Sequence, residues 1–138
     1  MTKFRKQHST KQLGFTMIEL LVVATIIILL TTIGIISYRQ ASISSRNGKR
    51  KADLETIRQA LVMRRSDTGG YPSGDFSAMV STLRNEGYLS SDSTDFSDPS
   101  GVAYIYSPTG CTPAPCTGFT LTATLEPSGS DPYQLKNP

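Results

Sequence analysis

The sequence predicts an α+β protein in which a long N-terminal helix, its first half able to span a membrane, packs on a small antiparallel sheet. Three observations lead there. Residues 15–65 contain no proline, and their only glycines are Gly34 and Gly48. Leu54, Ile57 and Leu61 then fall at helical spacing, with Ala60 widening the stripe. Beyond residue 100 the apolar period changes to two, as in Phe119, Leu121, Ala123 and Leu125 alternating with Thr120, Thr122 and Thr124.

At 138 residues the chain has the size of one ordinary domain. Its charged and apolar fractions, 18% and 38%, fit neither a disordered chain nor a coiled coil. The net charge of +3 hides a strong division. Residues 1–14 carry +4, residues 15–38 carry −1, residues 39–65 carry +6 and residues 66–138 carry −6. The expected organisation follows those limits: a basic leader (1–14) that is removed, a transmembrane or assembly helix (15–38), a basic second half of the helix packed on the head (39–65), and an acidic head (66–138).

The apolar run Leu20 to Ile36 is seventeen residues long, and twenty-two counted from Phe15, with Glu19 as its one acid. At about 1.5 Å per residue it covers roughly 26 to 33 Å, enough to cross a hydrocarbon core. A cleaved secretory signal would end in a small-residue cleavage site, whereas this run passes through Ser37-Tyr38-Arg39. Lysines and arginines stand on both sides of the run, so their count does not set its orientation. One helix is read from Phe15 to about Arg65, with Ser44-Ser45-Arg46-Asn47-Gly48 as the place where it could loosen.

Asp67 to Gly74 supplies glycine and proline breakers. A second helix follows, because Phe76, Met79, Val80 and Leu83 recur at i, i+3, i+4 and i+7, with Ser73 or Asp75 as cap and Gly87 as stop. After an acidic loop from Ser90 to Pro99, strands are expected over Val102–Tyr106, Phe119–Leu125 and Tyr133–Leu135. They form an antiparallel meander. Cys111 and Cys116 bracket a loop between the first two strands and are expected to form a disulfide, free thiols being the alternative. A zinc site lacks ligands, since the one histidine is His8 in the leader. Asp92, Asp95 and Asp98 stand three residues apart in the acidic loop. Such an oxygen-rich group suits calcium, against a solvated loop in which Asp98 makes a turn before Pro99.

The stretch Gly14-Phe15-Thr16-Met17-Ile18-Glu19 holds the most chemistry. A carboxylate inside a membrane helix is costly and needs a reason. Cleavage after Gly14 would remove the leader charges and create an ammonium at Phe15, four residues before Glu19. A positive group facing a carboxylate in low dielectric compensates both.

A basic leader, Gly14, Phe15-Thr-Met-Ile-Glu19 and an apolar helix together resemble the class III prepilin signal of type IV pilins and type II secretion pseudopilins. The resemblance implies a prepilin peptidase that cuts after Gly14 and N-methylates Phe15, with Glu19 setting subunit register. It also implies identical or related subunits in a filament, an assembly platform protein and a cytoplasmic ATPase. Storage in the cytoplasmic membrane with the head outside the cytoplasm would precede a periplasmic or extracellular filament. Two head segments, Asp67-Thr-Gly-Gly-Tyr71-Pro72 and Asp98-Pro-Ser-Gly101-Val-Ala-Tyr104-Ile-Tyr106, are similar to turns of the major pseudopilin, and the related pseudopilin holds calcium in its head. Ser100 replaces a usual Trp and the calcium-binding tail has no clear counterpart, so pilin and pseudopilin both stay open.

No catalytic serine elbow, zinc-protease motif or phosphate loop is present, and catalysis and a cofactor other than calcium are not expected. Two other readings are a DNA-uptake or minor pilin whose basic stretch Arg46 to Arg65 touches nucleic acid, and a plain membrane-anchored extracytoplasmic domain. Against the first, no aromatic stacking platform accompanies the bases, and packing of the basic stretch on acidic heads of neighbours is the stronger expectation.

Overall fold

In the computed structural model, residues 14–90, 96–112 and 114–137 are described. Helix α1 runs Met17–Thr68 and α2 runs Phe76–Asn85. Three strands follow: β1 Ile105–Thr109, β2 Gly118–Ala123 and β3 Tyr133–Lys136. They pair antiparallel in the order β1-β2-β3, which makes the fold α+β. The chain divides into two units between Arg39 and Gln40.

In the first unit every described side chain is exposed. An 18-residue window of α1 reaches a mean hydropathy of 2.7, so by length and composition this helix can cross a membrane. Its hydroxyls are compatible with that. Thr25 donates to the Val22 carbonyl at 2.8 Å, Thr31 to Ile27 at 2.7 Å and Thr32 to Ile28 at 2.8 Å, so each polar atom is satisfied by its own helix.

In the second unit α1 buries one face, formed by Arg50, Leu54, Ile57, Ala60 and Leu61. The apolar members join one core with Met79, Val80 and Leu83 of α2 and with Tyr106, Phe119, Leu121 and Ala123 of the sheet. Register explains the sheet's two faces. Tyr106 sits opposite Leu121 and Leu121 opposite Leu135, which places all three on the inner side. Ile105, Ser107, Thr120, Thr122 and Gln134 alternate to the outer side.

Helix α1 extends to Thr68, beyond the expected end near Arg65, and stops where Gly69 takes φ +83°. Asp75 caps α2 rather than Ser73, its carboxylate accepting the Ala78 N–H at 2.8 Å. Gly87, at φ +83°, ends it: the Tyr88 N–H reaches the Leu83 carbonyl at 2.8 Å and the Gly87 N–H the Arg84 carbonyl at 3.0 Å. That pair of bonds is a Schellman motif. Strand β1 begins three residues later than expected and runs through Pro108. A proline lacks the donor a central strand needs, but β1 is an edge strand and tolerates it.

Candidate functional site

Gly14, Phe15 and Thr16 precede α1 and are exposed. Thr16 is its N-cap. The Thr16 N–H and hydroxyl both donate to Glu19 Oε2 at 3.0 Å, and the Glu19 N–H donates to Thr16 Oγ1 at 3.2 Å. This reciprocal arrangement is a capping box, which needs Thr or Ser followed three residues later by Glu or Gln. Glu19 therefore stabilises the first turn of its own helix, a role the sequence reading did not assign although the Thr-x-x-Glu spacing signals it. Thr16 engages only Oε2.

The second polar centre lies in the second unit. Arg50 is 1% exposed and its guanidinium donates to both carboxylate oxygens of Asp98, to Ser100 Oγ at 2.8 Å and to Glu126 Oε1 at 2.6 Å. Arg46 Nε reaches both oxygens of Glu126 at 3.0 Å. Asn47 grips the same residue by its main chain: Nδ2 donates to the Glu126 carbonyl at 2.7 Å and Oδ1 accepts the Glu126 N–H at 3.0 Å. Two cations thus meet two carboxylates, and every charge in the cluster has a partner of opposite sign.

The electrostatics follow from that geometry. Arg46 first, then Ser100 and Arg50, bring the Glu126 carboxyl down to about 2. Arg50 holds Asp98 below its ordinary value against the opposing effect of burial. Asp98 in turn pushes Arg50 upward. Close by, burial raises Asp53 even though the Tyr104 hydroxyl donates to it at 2.8 Å.

Arg50 was not singled out in the sequence, although it stands in register with Leu54, Ile57 and Leu61, four, seven and eleven residues before them. Glu126 carried no such signal. Within the basic stretch, Arg46, Arg50, Arg58 and Arg64 pair with Glu126, Asp98, Glu55 and Glu86 of the same chain.

Of the three aspartates expected to suit calcium, Asp92 and Asp95 lie outside the described residues. Asp98 Oδ1 accepts the Ser100 N–H at 2.6 Å, which is an Asx-turn over Pro99. The Asp98 side chain is buried against Arg50, while residues 99–103 are exposed. Among the described residues no three His, Cys, Asp or Glu side chains gather around a metal position.

Cys111 and Cys116 are joined by a disulfide. The closed loop is tied to the segment after α1, where the Tyr71 N–H meets the Cys116 carbonyl at 2.9 Å and the Cys116 N–H meets the Tyr71 carbonyl at 3.1 Å. A Cβ on Gly70 would fall against the Pro115 ring and 2.9 Å from the Cys116 carbonyl oxygen, so only glycine permits this approach. Tyr71 then packs edge-on against Phe119, 4.7 Å between ring centres. No protein-family model, curated protein or solved structure matches the chain.

Proposed function

We propose that the chain is the structural subunit of a type IV pilus or type II secretion pseudopilus. A prepilin peptidase cuts after Gly14 and N-methylates Phe15, and the mature chain is held in the membrane by the first half of α1 until assembly. The observation that carries this reading is Gly14-Phe15-Thr16-Met17-Ile18-Glu19 standing at the start of an exposed apolar helix. Removal of the leader converts the Phe15 nitrogen to an ammonium at the helix end. Glu19 can then neutralise an ammonium, and in a staggered stack the ammonium of an incoming subunit makes that neutralisation conditional on one axial offset. A purely apolar helix could slide, because lipid and neighbouring Leu or Ile surfaces are almost equally apolar.

Mass spectrometry of the mature protein from a strain with an active prepilin peptidase tests the processing step. The expected N-terminus is N-methyl-phenylalanine at Phe15, and an intact Met1 terminus overturns the reading. For Glu19→Ala the expected result is a normal membrane level with few or no sheared filaments. Wild-type filament yield would leave the carboxylate without an assembly role.

A further inference from the structure

Residues 41–48 of α1 read Ala-Ser-Ile-Ser-Ser-Arg-Asn-Gly, a composition that favours the helix weakly. Serine and asparagine compete for their own backbone, and glycine loses the most conformational entropy on ordering. Tertiary packing normally makes up such a deficit. Here apolar packing does not, because no residue from Gln40 to Lys49 is buried and Ile43 does not reach the core. What holds the segment is polar: Arg46 and Asn47 grip Glu126, Arg46 also donates to Ser42 Oγ at 2.7 Å, and Arg50 at the edge of the core donates to Asn47 Oδ1 at 2.7 Å and to Glu126 Oε1 at 2.6 Å.

We propose that this segment is a conformational joint, helical while Glu126 is clamped and loosened when it is released, independently of the core that starts at Arg50. Two features separate the joint from the core. The clamp's charges are partly open to solvent, with side-chain exposures of 34% for Arg46 and 24% for Glu126, so water and salt can compete for them. Arg50 keeps Asp98 whether or not Glu126 is engaged, so opening the clamp leaves no buried charge unpaired. Local opening can therefore occur at a lower free energy than global unfolding.

The test is amide hydrogen exchange on the full chain in detergent micelles. Glu126→Ala alters no residue of the helix, and amides 43–48 should exchange at least tenfold faster while amides 55–62 keep their wild-type rates. Asn47→Ala raises intrinsic helix propensity yet removes the main-chain grip, and it should also speed exchange at 43–48; slower exchange would overturn the proposal. Gly48→Ala meets open space at its Cβ and should slow exchange about fivefold in the wild type and in Glu126→Ala alike. Unchanged rates at 43–48 in Glu126→Ala overturn the joint. Equal acceleration at 43–48 and 55–62 overturns it too, because the clamp would then serve only global stability.

Discussion

The two halves of α1 are built from one continuous helix and owe their order to different sources. Before Arg39 its described side chains are exposed, and the backbone and the hydroxyls of Thr25, Thr31 and Thr32 are satisfied within the helix itself. After Gln40 the helix lends Leu54, Ile57 and Leu61 to a closed core and Arg50 to a buried charge cluster. The first half suits surroundings that supply apolar contact; the second carries its own. The difference teaches that an unbroken helix is not an energetically uniform one, and that substitutions along it should have effects set by position.

The largest effect is expected at Arg50. Arg50→Met leaves the Asp98 carboxylate buried without a cation and should cost about 3–5 kcal/mol in denaturant unfolding of the full chain in detergent. Arg50→Met with Asp98→Asn removes the stranded charge and should recover part of the loss. The same cluster sets an acid limit. Glu126 and Asp98 have folded values below their ordinary 4.5 and 3.8, so their contribution is complete above those values and is lost as pH falls below them, for Glu126 toward about 2. An unfolding midpoint followed from neutral pH downward should therefore stay level and then drop below about pH 4.5.

Next in size is a matched pair of leucines. Leu61→Ala, at a fully buried position, should cost about 3 kcal/mol, whereas Leu29→Ala, 63% exposed, should leave the head's unfolding unchanged. Equal losses would erase the contrast between the halves. Replacing both Cys111 and Cys116 with serine should cost about 2 kcal/mol, since the bridge closes a loop of short sequence separation. Gly87→Ala, which forces a side chain into φ +83°, should cost about 1 kcal/mol and lower the midpoint slightly.

Much of the fold could be read in advance because its signals are local. The stripe Leu54, Ile57, Leu61, the cap at Asp75, the stop at Gly87 and the alternation of β2 each depend on neighbours within a few residues. The start of β1 was misplaced because Val102 and Tyr104 alternate like a strand while the ladder to β2 begins only at Ile105. Pro108, beyond the expected end at Tyr106, is accommodated by the free edge. Of the candidate site, Glu19 and the cysteines stood out by residue type in unusual surroundings. Glu126 did not, since an acid before a proline in a polar loop looks ordinary until the chain brings Arg46, Asn47 and Arg50 to it.

That last contact also sets an order in time. Arg46 and Glu126 are separated by 80 residues, so a chain emerging from the ribosome makes its joint segment long before it makes the residue that holds it. The core stripe can start to collapse on α2 while residue 126 is still unsynthesised, but until then residues 41–48 have only partners within the helix, Ser42 for Arg46 and Arg50 for Asn47. Closing so long a loop costs entropy that only a formed sheet offsets, so the clamp is expected to engage late. Firmness next to the membrane-length half of α1 thus reports that synthesis has passed residue 126 and that the acid there has found its place. A nascent or truncated chain lacking Glu126 would display the same helix without that firmness.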